Sequence, residues 1–392
     1  MSKNVFLHVG LPKSGTSYVQ KTLTANKDSL KREGLLFPGN GWVAQVRAVQ
    51  DVRQMKLAPS KRKGVSGAWD KLVAEIAAWP GDAIVSMEWL GPAVPEHIRA
   101  IVDDLSPARV QVIFTARDLA RTVPAAWQEF MQNREEWTWP EFLDSVVADA
   151  APPTSPGARF WAQQDLAALL GNWTSNVPVK DVHVVTLPHP GAGPDVLWQR
   201  MCQVLGSDYA HDRSAAGSNT SLGMESAEMM RRLNRLARED GLPTALYQHA
   251  FKHGLAKGVL AERTREESKL VLPPEYHEWA RREATRQIEA VRASGVHVVG
   301  DLEELQPVVD AVTGQQPDDI PDAALLDISL GALVTMARQW GPARDTAASL
   351  RAENARLRER VEHLERHPGR AVLRRYARAA RARASALRHR KG

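Results

Sequence analysis

Hydrophobic positions along the first three hundred residues follow two periods in turn. Short apolar, β-branched runs at 5–9, 83–87, 110–115, 182–186 and 296–299 are bounded by turn residues and predict buried strands. Between them, apolar residues recur every three or four positions: in 16–23, in 69–79 through Leu72, Val73, Ile76 and Ala77, and in 94–105. The same spacing recurs in a long region at 123–170 broken by the Pro-rich loop 150–158, and in 196–205, 224–238 and 275–293. These predict helices. Residues 35–37 read as a short extended piece, 53–67 as a basic surface loop carrying Lys56, Lys61, Arg62 and Lys63, and 302–305 as the last piece of the domain. Strands alternating with helices predict an α/β domain, with a central parallel sheet between two layers of helices.

The pattern changes near Thr313, so a catalytic-size domain is expected over 1–313. Residues 314–343 open with the Pro- and Asp-rich linker GQQPDDIPD and continue into a helix, 344–366 form a short coiled coil, and 367–392 a basic tail. Leu350, Leu357 and Leu364 recur every seven residues, with Asn354 and Val361 at the alternate seam positions. Two readings stay open for this stretch: a homodimer through the seam, or a single amphipathic helix packed on its own domain.

At 392 residues and 43% apolar content the chain can bury a sizeable core. The net charge of +5 is uneven: residues 368–392 hold eight Arg, one Lys and no acid, so the rest of the chain is net acidic. The tail suits an anionic membrane surface or another polyanion, and equally a solvated extension. The lone cysteine, Cys202, cannot make an internal disulfide and reads as a small buried residue. The first strand follows Met1 closely and no apolar run is long enough to span a bilayer, so a cytoplasmic setting is expected, with at most peripheral contact at the inner face. No HExxH, DxDxDG or multi-Cys spacing appears, and no metal is expected.

The chemistry concentrates in VFLHVGLPKSGTS. An apolar strand runs into a turn with Gly10, Lys13, Ser14 and Gly15, then Thr16 and Ser17 at the start of a helix. Gly15 lets backbone N–H groups approach an anion, the hydroxyls add donors, the helix directs its positive end at the same place, and Lys13 adds a full charge. Lys precedes the Gly here, whereas GxxxxGK[ST] nucleotide loops place it after. Leu-Pro-Lys-Ser-Gly-Thr-Ser after a first strand resembles the phosphosulfate-binding loop of sulfotransferases, bacterial members included, that use 3′-phosphoadenosine 5′-phosphosulfate. That resemblance implies a P-loop-like α/β fold and transfer of a sulfuryl group from this donor to a hydroxyl-bearing acceptor.

The family also implies a second anion site for the 3′-phosphate. Arg117 fits it: it follows the strand VQVIFTA, and ARDLAR resembles the family's Arg-Asp-Pro turn. The Ser that the family places eight residues later is Ala125 here, so Thr122 and the segment Ser218-Asn219-Thr220-Ser221, which resembles an Asn-x-Ser element, are the replacement candidates, Asn219 and Ser221 above all. For the base that takes the acceptor's proton the candidate is Glu88, at the end of AIVSM, with Met87 and Trp89 to desolvate it. His8, within the first strand, competes for that role; a buried strand histidine otherwise satisfies hydrogen bonds internally. His183 and His189 are weaker candidates. Trp127, Trp137 and Trp139 suit either an acceptor pocket or the core. The alternatives to a sulfotransferase are a kinase or NTPase, for which Asp118 would be the metal-binding acid, and a non-catalytic scaffold of the same fold. The acceptor class, whether glycan, glycolipid or small metabolite, is open.

Overall fold

A computed structural model describes residues 3–55, 64–149, 152–193, 195–209, 212, 221–308 and 314–366. Six parallel strands, β1 (Asn4–Gly10), β2 (Leu35–Leu36), β3 (Asp82–Ser86), β4 (Arg109–Ala116), β5 (Val182–Thr186) and β6 (His297–Val299), form one sheet in the order β2-β3-β1-β4-β5-β6. The first strand therefore lies between β3 and β4, pairing Leu7 with Val85 on one side and with Val112 on the other. The chain leaves β1 at the crevice where strand order reverses, which in parallel sheets is the place for a ligand.

The period of two along β1 separates the layers. Val5, Leu7 and Val9 face a core built with the helices Trp42–Val52, Ala68–Ala77, Pro95–Leu105, Leu166–Thr174 and His277–Ser294. Phe6, with Ile84, Ile113 and Val185, faces the opposite core under the helices Thr16–Ala25 and Val196–Leu205, through Val19, Leu23, Trp198 and Met201. This is the expected three-layer α/β arrangement. Each fully buried Val, Leu or Phe contributes about 1.5–3 kcal/mol relative to exposure, so both cores are needed.

Several local expectations change. The stretch after Gly41, to which the sequence pattern assigned no element, forms the helix Trp42–Val52, with Gln45 fully buried: its side chain accepts from Ser86 N at 2.8 Å and donates to the Pro38 carbonyl at 3.2 Å. Arg53 ends this helix and donates to the carbonyls of Trp89 and Pro92. Of the expected basic loop 53–67, residues 56–63, with Lys56, Lys61, Arg62 and Lys63, lie outside the described residues. The helix after β4 starts at Leu119 rather than near Pro124, because Asp118 caps it, accepting from Arg121 N at 3.0 Å. Trp127 and Trp139 are core residues with ring centroids 5.6 Å apart.

The chain divides into two compact units, Met1–Ile328 and Ser329–Gly392. Within the first, the stretch read as a linker is held in place: Pro317–Asp319 form a 3-10 turn, and Gln316 accepts from Trp139 Nε1 at 2.7 Å. The second unit, described as far as Arg366, is the later part of one long helix, Asp322–Arg366. The basic tail lies outside the described residues. Among the described residues, no helix is long and apolar enough to cross a membrane.

Candidate functional site

Three of the residues singled out in the sequence arrive together because three adjacent strands end side by side. β1 delivers Lys13, β3 delivers Glu88 in the 3-10 turn Glu88–Leu90, and β4 delivers Arg117. Backbone Gly10 packs directly on Glu88, where a Cβ would meet the Glu88 Cβ at 3.1 Å. Gly10 also has φ 108, in the region that favours glycine, so this crossing of loop and turn excludes other residues on two grounds.

The loop is fastened from below. Leu11 N donates to the Thr115 carbonyl at 2.6 Å, and the Ser14 hydroxyl donates to the Leu11 carbonyl. Ser14 Oγ is also 2.6 Å from Thr115 Oγ1, which lies 3.2 Å from His8 Nε2, and His8 Nδ1 is 2.7 Å from Ser86 Oγ. A continuous buried chain, Ser86–His8–Thr115–Ser14, thus crosses from β3 to the loop. Burial lowers the His8 pKa from its ordinary 6.5 to about 3, so the ring stays neutral and its two nitrogens are shared with hydroxyls. His8 and the Ser14 hydroxyl serve the loop's framework, and neither faces the crevice.

Gly15, at φ 88, caps the helix Thr16–Ala25, and a side chain there would run into Leu197. Thr16 is buried and Ser17 half-buried in that helix's first turn. Lys13 itself has φ 66, which turns its carbonyl toward Arg117 Nη1, 3.2 Å away. Its ammonium pairs with Glu129 Oε2 at 3.1 Å. Withdrawal from bulk water works against the Glu129 carboxylate, but Lys13, with Lys252 and Lys257, holds the carboxyl below its ordinary value.

Arg117 is pushed down to about 10, first by burial and then by the neighbouring charge of Arg121, and remains a cation at neutral pH. Its Nε, the Nη2 of Arg121 and the Thr122 hydroxyl are buried with no hydrogen-bond partner. Unpartnered buried donors are costly, and these three come from one turn and the start of one helix. Arg121 also donates to the Asp118 carboxylate and to the Pro188 carbonyl, so Asp118 is committed to the helix cap and to Arg121.

Glu88 is raised above its ordinary value by burial, against hydrogen bonds from its own backbone and from Gln20 Nε2 at 2.6 Å and the charge of Lys13. A carboxyl so placed can hold a proton close to neutral pH better than an exposed one. Beside it opens a cleft of about 190 Å³ lined by Lys13, Trp89, Glu129, Phe130, Arg159 and Lys252. Ser221 lies where its neighbour Leu222 accepts from Gln128 of the Leu119–Gln132 helix at 2.7 Å; Asn219 falls outside the described residues. Cys202 is buried, with its thiol pushed up to about 11. His183 sits across the sheet, 3.0 Å from His297 and away from the loop. Among the described residues no group of three His, Cys, Asp or Glu side chains is placed to hold a metal ion.

Sequence reasoning missed Glu129, Arg121, Gln20 and the cleft side chains Arg159 and Lys252. Arg121 was legible as the second Arg of ARDLAR; Glu129, two to three turns further on, carried no local signal.

Fold and site together define a three-layer α/β protein with cationic side chains and unpartnered donors gathered at the C-terminal edge of its parallel sheet. No family model matches the chain, and no curated protein matches it. Among solved structures, a sulfotransferase from Alicyclobacillus acidocaldarius is similar over 62% of this chain and 98% of its own, at 16% identity and a TM-score of 0.37. At that level the similarity says nothing of activity.

Proposed function

We propose that the chain is a sulfotransferase that moves the sulfuryl group of 3′-phosphoadenosine 5′-phosphosulfate to a hydroxyl of an acceptor bound in the cleft beside Lys13. The observation that carries this reading is the pairing of two cationic anion sites at neighbouring strand ends, Lys13 with the Gly15 loop, and Arg117 with the unpartnered Thr122 hydroxyl. A nucleotide with phosphates at both ends of its ribose needs two such sites; a triphosphate needs one extended cradle.

In this reading the acceptor oxygen attacks sulfur, its proton passes to the ionised Glu88, and the bond from sulfur to the bridging oxygen of the 5′-phosphate breaks to release 3′-phosphoadenosine 5′-phosphate. Lys13 and the loop amides stabilise the charge that develops on that oxygen. Lys13 must leave Glu129 or share itself with the donor, so Glu129 holds the ammonium in the crevice until the donor arrives.

The test is transfer of labelled sulfuryl from the donor to a panel of glycans, glycolipids and phenolic metabolites. Label on one class, lost in Lys13→Ala and Glu88→Gln, supports the reading. No transfer to any class, with magnesium-dependent ATP hydrolysis in its place, contradicts it.

A further inference from the structure

The helix Asp322–Arg366 continues well past Pro342, and from residue 346 onward every residue whose burial is described is exposed. Leu350, Leu357 and Val361 are 53, 49 and 52% exposed. Over that stretch the residues whose burial is described gain nothing from packing, and helical stability in proteins comes mostly from packing of an apolar face. Its apolar residues are not scattered. Leu350, Leu357 and Leu364 occupy the d positions of successive heptads, and Asn354 and Val361 the a positions.

The flanking charges are specific too. In a parallel in-register pair, each g residue meets the e residue five positions on in the other chain. Here g and e are Glu353 and Arg358 in one layer, and Arg360 and Glu365 in the next, so both layers join opposite charges. An antiparallel pair would instead set e against e, Arg351 beside Arg358, and would place Asn354 against a leucine. Val at a with Leu at d favours two strands, and Asn at a meets its own copy only when the chains are parallel and in register.

We propose that residues 350–364 form a parallel, in-register, two-stranded coiled coil with a second copy of this chain. The interface is short, so association is concentration-dependent. It brings two copies of the chain together without depending on what the α/β unit binds.

Sedimentation of the full chain over a range of protein concentrations reads the association. A monomer–dimer equilibrium is expected, abolished by Leu357→Asp and weakened about tenfold by Glu353→Arg, which sets like charges against each other in both strands. Adding Arg358→Glu to Glu353→Arg restores the dimer, because residues five apart do not face each other within one helix. The variant Asn354→Cys, treated with oxidised glutathione, is expected to give a disulfide-linked dimer; the native Cys202 is buried. A wild-type chain that stays monomeric at all concentrations overturns the proposal, whether the seam is bare or covered by another partner. So does a dimer indifferent to Leu357→Asp, or one in which Asn354→Cys fails to cross-link. Circular dichroism of each variant separates loss of association from loss of folding.

Discussion

Replacing His8 with Gln tests the buried chain that holds the loop. In the folded protein His8 is fully buried, bonded at both nitrogens to hydroxyls, and titrates at about 3; in the unfolded chain it titrates near 6.5. Between these values the unfolded state binds a proton that the folded state does not. Stability from this group is therefore complete above the unfolded value and is lost as pH falls toward the folded one. The loss is about 1.4 kcal/mol per pH unit within the window, and about 5 kcal/mol across it. Gln keeps a donor and an acceptor but has no proton to gain. His8→Gln should lower stability at neutral pH by about 1–3 kcal/mol through lost packing and imperfect hydroxyl partners. As pH falls from about 6 to about 4, the gap between wild type and variant should close by about 1.4 kcal/mol per unit. Urea unfolding followed by tryptophan fluorescence gives both numbers, and the contribution of His183, lowered to about 4, is common to both proteins and cancels. Parallel stability curves, or an NMR titration of folded His8 near 6.5, would refute the account of the loop's support.

Gly157→Ala, in the first turn of the helix Pro156–Gln164, would drive a methyl into the Ser145 carbonyl of the preceding helix, and should cost about 1–3 kcal/mol. A thermal midpoint equal to wild type would show that the two helices are not in such close contact. Glu88→Gln removes a carboxyl whose folded value is raised by burial, so the native Glu contributes most below the ordinary value of 4.5 and loses that contribution as pH rises. The variant should therefore gain stability relative to wild type from acid to neutral pH, while sulfuryl transfer falls by about 10²–10⁴-fold. A constant stability difference contradicts the burial argument, and unchanged turnover removes Glu88 as the base.

The sheet was legible because its strands are continuous apolar runs, as in 110–115, that parallel sheets require on both faces. The turn between β1 and the helix Thr16–Ala25 was legible because its residues are contiguous. The helix Trp42–Val52 was not: its N-cap is Gly41 without a capping side chain, and one of its buried residues is Gln45, whose polar group is satisfied only by β3 and Pro38. The partnership of Lys13 with Glu129 was hidden for a related reason. It joins positions 116 residues apart, and nothing near Glu129 in the chain distinguishes it from a surface carboxylate. Ser14 shows the opposite limit, since a hydroxyl in the right motif is spent on Leu11 and Thr115 beneath the loop. Local sequence reported where the turn after β1 lies, and only the packing of β1 between β3 and β4 showed which of its side chains face the crevice.

The central claim, two cationic sites that together take a nucleotide phosphorylated at both ends, is tested most directly by calorimetric binding of 3′-phosphoadenosine 5′-phosphate against ATP. The account predicts preference for the former without added metal. It further predicts weakening of about 10- to 150-fold in each of Lys13→Ala and Arg117→Ala, the worth of one or two charge-assisted hydrogen bonds. Preference for ATP with magnesium, or affinity for the bisphosphorylated nucleotide that neither substitution changes, would contradict it.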